Sequence, residues 1–258
     1  MALLGFASVR SAAIALLFLF PPCAARCADG AIRSALEYCA KFEQTIHLSD
    51  DDKILCFDGQ IKRDLKMQPF QELKENGFFV IRSPGGYSTV AVEMSDILLA
   101  KNATVIIHDY CLSACANYVL VATNRTYVVK DSIVAWHGGP SGVYCTRWFT
   151  GDEKTVNALE DYCNHVEVLS RFFAKRGISA AFAHWPQTAY TRNRFRLYLA
   201  GTGDRRSIFW MWNPRNYGDY FKDRLTFESY PASQYEVNEI LSRFGLEHVM
   251  RVLYDPPE

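Results

Sequence analysis

Two hydrophobic patterns alternate along this chain, short continuous apolar runs and longer helical periods. The runs are Ile54-Leu55-Cys56-Phe57, Phe78-Phe79-Val80-Ile81, Thr104-Val105-Ile106-Ile107, Tyr127-Val128-Val129 and Ile133-Val134-Ala135-Trp136. Apolar runs of that length, rich in β-branched and aromatic residues, read as buried strands of a largely parallel sheet. Between them, Gln71 to Asn76 suits a short helix closed by Gly77. Val90, Met94, Ile97 and Leu98 recur at helical spacing, and Ala114 to Ala122 reads as the next helix. The alternation predicts an α/β domain.

Outside this core the pattern is coarser. Residues 31–46 look helical, and Asp50-Asp51-Asp52 then break the chain. Residues 152–175 form one long helix in which Val156, Leu159, Cys163, Val166 and Phe173 follow the period, widened by Tyr162, Leu169 and Phe172. A face that broad needs a neighbour, either the core or a second subunit. Residues 178–231 are rich in aromatics and arginine with little period, and Pro231 to Val252 should close the chain as an amphipathic helix.

The first 28 residues change the picture. Arg10 precedes the apolar stretch Ala12 to Phe20, Pro21-Pro22 break it, and Cys23-Ala24-Ala25 offers small residues for cleavage within residues 25–28. This is the order of a secretory signal peptide, and the apolar stretch is short for a bilayer span. The expected organisation is therefore a signal at 1–28, a helical extension at 29–52, an α/β domain at 53–230 and a C-terminal helix at 231–258. Nearly half of the 258 residues are apolar, enough for a substantial core, and the formal net charge is zero. That balance gives no reason to expect a nucleic acid or an anionic membrane as partner. The arginines from Arg192 to Arg196, with Arg205 and Arg206, read as solvated surface.

Of the eight cysteines, Cys23 leaves with the signal and Cys27 lies at its edge. Cys39, Cys56, Cys111, Cys115, Cys145 and Cys163 remain as disulfide candidates for an oxidising compartment, with many pairings open. Neither a C-x2-C pair nor a histidine pair at ligand spacing argues for zinc.

Three features carry chemistry. Ser83-Pro84-Gly85-Gly86 follows a predicted buried strand, and a glycine there lets a backbone N–H approach a bound carbonyl. Ser113 opens the helix after the strand Thr104 to Ile107, beside free N–H groups. His137 ends the run Ile133 to Trp136. Singly, each has a plain structural explanation: a tight turn, a helix cap, a packed histidine. Together they lie at the carboxyl ends of predicted strands, the edge where open α/β sheets bind ligands. Cys111 and Cys115 bracket Ser113, and a disulfide between them would pin that turn.

These residues in this order resemble the Clp protease proteolytic subunit and its relatives in the ClpP/crotonase superfamily. The matching run goes from Ile54 to Ile61, through Val80-Ile81-Arg82-Ser83-Pro84-Gly85-Gly86 and Cys111-Leu112-Ser113-Ala114, to Ala135-Trp136-His137-Gly138-Gly139-Pro140. The resemblance covers about residues 53–177 and is weak beyond them. It implies repeated β-β-α units, with helix 152–175 in the place of the family's handle helix. It also implies Ser113 as nucleophile, His137 as general base, and N–H groups of Gly86 or Gly85 with Ala114 as the oxyanion hole. The family's acid precedes an aromatic-Met segment, here Phe209-Trp210-Met211-Trp212. Two residues before Phe209 stands Ser207, so Asp204 is the nearest carboxylate.

The expectation is an exported serine endopeptidase, periplasmic or secreted, acting on polypeptides without a cofactor. It touches no membrane beyond its signal, and helix 152–175 is available for a homo-oligomer. The rival is a binding protein that kept the fold and lost the acid. An acyl-CoA enzyme of the crotonase branch would need no Ser113–His137 pair, and export away from cytosolic acyl-CoA argues against it.

Overall fold

The computed structural model describes residues 23–137, 145, 153–179, 206–212 and 221–254. Its centre is a seven-stranded, mostly parallel sheet. The expected strands supply its middle: β2 (Ile54–Asp58), β3 (Phe78–Ser83), β4 (Thr104–Leu112), β5 (Thr126–Val128) and β6 (Ile133–Ala135). β1 (Ile46–Leu48) adds to β2 as the antiparallel edge, and β8 (Leu225–Phe227) pairs with β5.

Alternation along the strands builds a core on both faces. Phe79, Ile81, Val105 and Ile107 enter the main cluster with Phe70, Met94, Leu98 and Tyr118. Their neighbours Val80 and Ile106 point to the other face, where Ile32 and Ala35 of α1 (Cys23–Cys39) cover them. On the first face lie α3 (Ser88–Ala100) and α4 (Glu153–Lys175). The described inner residues of α4, Leu169, Phe172 and Phe173, belong to that main cluster, so core packing accounts for them.

Several boundaries differ from the sequence reading. The helix expected over 31–46 lies earlier, at Cys23–Cys39, because Cys39 is bonded to Cys56 of β2 and the chain then turns into β1. Residues 29–52, expected as an extension, thus contribute a helix and an edge strand to the sheet. The helix expected at 71–76 is α2 (Gln68–Glu72), with Pro69 in its first turn, where a missing N–H costs nothing. The helix expected from Ala114 to Ala122 is a short π-helical turn, Cys115–Val119, closed by Leu120 N–H on the Cys115 carbonyl at 3.0 Å.

The C-terminal helix is also shorter than expected. α5 (Gln234–Arg243) starts at Ser233, whose hydroxyl accepts from the Glu236 N–H at 3.3 Å. It stops at Gly245, in the left-handed region at φ +66, with Leu246 N–H returning to the Leu241 carbonyl at 2.9 Å. That is a glycine-terminated helix end. The chain then forms β9 (Met250–Tyr254), parallel to β7 (Ser207–Met211). These two strands and α5 enclose a second cluster with Leu112, Ile133 and Ala135.

One irregularity directs the rest. Between Ile81 and Ser83 the partner strand β4 advances from Ile107 to Cys111, so β4 carries a bulge there. Asp109 within it has φ +56. Before the bulge β4 pairs with β5, and after it with β6. Arg82 stitches the site by bonding to Asp58 of β2 and, at 2.9 Å, to Asp109. The bend turns the end of β4 toward β6.

Candidate active site

Register brings the two chemical side chains together. Leu112 of β4 pairs with Ala135 of β6, and the next N–H, that of Ser113, donates to the Ala135 carbonyl at 3.0 Å. His137 lies two residues beyond Ala135, across from Ser113. The result is a contact of 2.6 Å between Ser113 Oγ and His137 Nε2. The hydroxyl donates when the neutral ring carries its proton on Nδ1. Ser113 is therefore no helix cap, since its hydroxyl is given to the histidine.

The serine sits on a strained elbow. Its φ is +55, in the left-handed region, which costs a residue with a side chain roughly 1–2 kcal/mol. Its carbonyl accepts from Asn117 N–H at 2.8 Å. Cys111 and Cys115 are disulfide-bonded across it, with Cα atoms 5.2 Å apart. Among the described residues three disulfides pair the six expected cysteines, the others being Cys39–Cys56 and Cys145–Cys163. Such bonding suits an oxidising compartment. Among the described residues no helix is long and apolar enough to cross a membrane.

The glycine turn is packed directly on this elbow. A Cβ on Gly85 would lie 2.5 Å from the Leu112 carbonyl oxygen, 2.7 Å from Ser113 Cβ and 2.8 Å from Ala114 N. A Cβ on Gly86 would lie 2.1 Å from the Ile61 carbonyl oxygen. Ile61 holds the turn from the far side, donating to the Gly85 carbonyl and accepting from Tyr87 N–H, both at 2.9 Å. Gly85 N–H is used internally, on Ser83 Oγ at 3.1 Å. Gly86 N–H and Ala114 N–H have no acceptor among the described residues. Of the two glycines expected to offer a donor, Gly86 is the one whose N–H has no acceptor among the described residues.

His137 is open to solvent on one side. Elsewhere its ring is packed, with the ring of Phe209 edge-on at 5.2 Å. That desolvation disfavours the charged ring and holds its pKa below the ordinary 6.5, opposed by a hydrogen bond to its own carbonyl. Solvent at the open side tempers the shift. Among the described residues no carboxylate approaches it. Asp204, expected as the acid, lies outside the described residues, as do Gly138, Gly139 and Pro140. Ser207, at the expected acid position, is the exposed first residue of β7.

Sequence reasoning missed the support behind His137. Trp136 and Trp210 exchange backbone hydrogen bonds of 2.9 and 2.8 Å, fastening β6 to β7 and so placing Phe209. The apolar run Ile208 to Trp212 carried a strand signal, but nothing local names Trp136 as its partner. Ile61 lies beyond the apolar run Ile54 to Phe57, and its role as the clamp on the glycines depends on chain far from it. No family model matches this chain, and no curated protein aligns with it at a significant level.

Proposed function

We propose that the protein is an exported serine endopeptidase of the ClpP-like kind, working on polypeptides in the periplasm or outside the cell. The observation that carries this reading is the 2.6 Å contact between Ser113 Oγ and His137 Nε2 at a left-handed elbow. Neutral His137 takes the hydroxyl proton as Ser113 Oγ attacks the scissile carbonyl. The oxyanion forms beside the N–H groups of Gly86 and Ala114, which have no acceptor among the described residues. His137 then gives its proton to the leaving amine, and water releases the acyl group from Ser113 by the reverse exchange. Asp204 is the candidate to orient the ring; without an acid, catalysis persists at reduced rate. The leader-like first 28 residues and the disulfides support export, and α4 offers a surface for self-association.

A specific observation favours a second reading. His137 has no carboxylate partner among the described residues, which suits a binding protein that retains the fold without turnover.

Labelling of the oxidised protein by a fluorophosphonate probe separates the two. Under the peptidase reading the wild type is labelled, and Ser113→Ala and His137→Ala both remove labelling while keeping the fold. An unlabelled, folded wild type, or full labelling of Ser113→Ala, overturns that reading.

A further inference from the structure

We propose that the Cys111–Cys115 disulfide is a positioning element for Ser113, so that the Ser113–His137 contact forms in the oxidised chain and is lost in the dithiol chain. The inference rests on Ser113 being the reactive group proposed above, and it adds a dependence on oxidation state.

The elbow is short of other restraints. Ser113 holds a backbone conformation that side-chain-bearing residues avoid, at φ +55. Its backbone is tied by single hydrogen bonds, N–H to Ala135 and carbonyl from Asn117, and its side chain by the one contact with His137. Gly85 permits the close approach by lacking a Cβ, but it cannot pull the turn inward. Released, the four-residue step from Cys111 to Cys115 can stretch to roughly 13 Å. A disulfide confines it below about 7 Å, and here it spans 5.2 Å. The bond therefore removes the extended conformations into which a strained serine would relax.

Its ends anchor the two elements that flank the nucleophile. Cys111 belongs to β4 after the bulge, and Cys115 opens the π-helical turn. Both residues are fully buried, so the bond is set as the chain folds and is not exchanged at the surface afterwards. Its formation takes two protons and two electrons from the thiols of Cys111 and Cys115. An exchanging disulfide such as glutathione disulfide accepts them and leaves as two thiols. The Cys39–Cys56 bond, by contrast, joins α1 to β2.

The test compares wild type, Cys111→Ala/Cys115→Ala and Cys39→Ala/Cys56→Ala, each at a temperature where circular dichroism shows it folded. Two quantities are read: the rate constant for fluorophosphonate labelling, and the 15N resonance of His137 Nε2, with Ser113→Ala defining the ring without its serine. The Cys111/Cys115 variant is expected to label at least about tenfold more slowly, with Nε2 shifted to its position in Ser113→Ala. The Cys39/Cys56 variant is expected to keep both wild-type values. A Cys111/Cys115 variant with the wild-type resonance and rate overturns the proposal. An unlabelled wild type sinks the nucleophile reading instead, while the resonance still decides whether the disulfide positions the pair. If the double alanine variant does not fold, Cys115→Ser, close to cysteine in volume, is judged by the same two readouts.

Discussion

At Ser113 the backbone and the side chain make opposite demands. The hydroxyl must face His137, which the elbow achieves, yet φ +55 suits glycine far better than serine. Ser113→Gly and Ser113→Ala should both lose labelling, but their stabilities should differ. We expect the glycine variant to melt at higher denaturant, by up to about 1 kcal/mol relative to alanine; equal midpoints would mean that the elbow carries no strain. At His137 the sign of the pH effect follows from its surroundings. Packing lowers its pKa below 6.5, and under the proposed mechanism the ring accepts the serine proton only when neutral. The labelling rate should rise with pH through a midpoint below 6.5 and stay flat above it. Stability runs in the same direction: the unfolded ring binds a proton first as pH falls, so the folded state weakens below the unfolded pKa. A midpoint above 6.5, found from a pH series of labelling rates, would require an acid partner strong enough to outweigh desolvation.

Among elements, the glycine turn and the β4–β6 register together make the site. The turn was legible in the sequence because Ser-Pro-Gly-Gly after an apolar run has few other uses. What it touches was not legible, since Ile61 and Ser113 approach it from different parts of the chain. Gly85→Ala puts a methyl against the Leu112 carbonyl and Ser113 Cβ, at 2.5 and 2.7 Å. Backbone and Cβ atoms cannot swing aside as a long side chain can. We expect a loss of at least about 1–3 kcal/mol in chemical denaturation, together with loss of labelling. Undiminished labelling would show that the elbow can move without consequence for the serine. The register was equally hidden: a bulge at Asp109 lets one strand serve two partners, and no periodicity marks it. Edge elements failed for a related reason. β1, β7 and β9 are stabilised by neighbours, so their own residues carry a weaker signal than the doubly covered strands.

For the molecule as a whole, the sheet is covered on both faces, and α1 is tied covalently to one of them. Cys39→Ala/Cys56→Ala opens a link spanning 17 residues and should cost about 3 kcal/mol of stability. Labelling of the folded variant should persist, because the serine elbow lies on the other side of β3. A thermal melt beside a labelling assay reads both quantities; a lost reaction in a folded sample would tie α1 to the site. The cysteine count and the signal-like first residues were readable in advance, whereas the pairing of six thiols was left open among many arrangements.

By itself, the sequence determined the parallel core strands, the glycine turn, the oxidised cysteines, and Ser113 and His137 as the residues to watch. Continuous apolar runs, glycine pairs and reactive side chains are local properties, written wherever they occur. Only the tertiary structure decided that Ser113 meets His137 at 2.6 Å, that Gly86 N–H, unlike that of Gly85, meets no acceptor among the described residues, and that Cys111 bonds Cys115. It also decided that a strand follows the last helix. Each of these depends on which distant segments share a register or a packing face, and that choice is made by the assembled core.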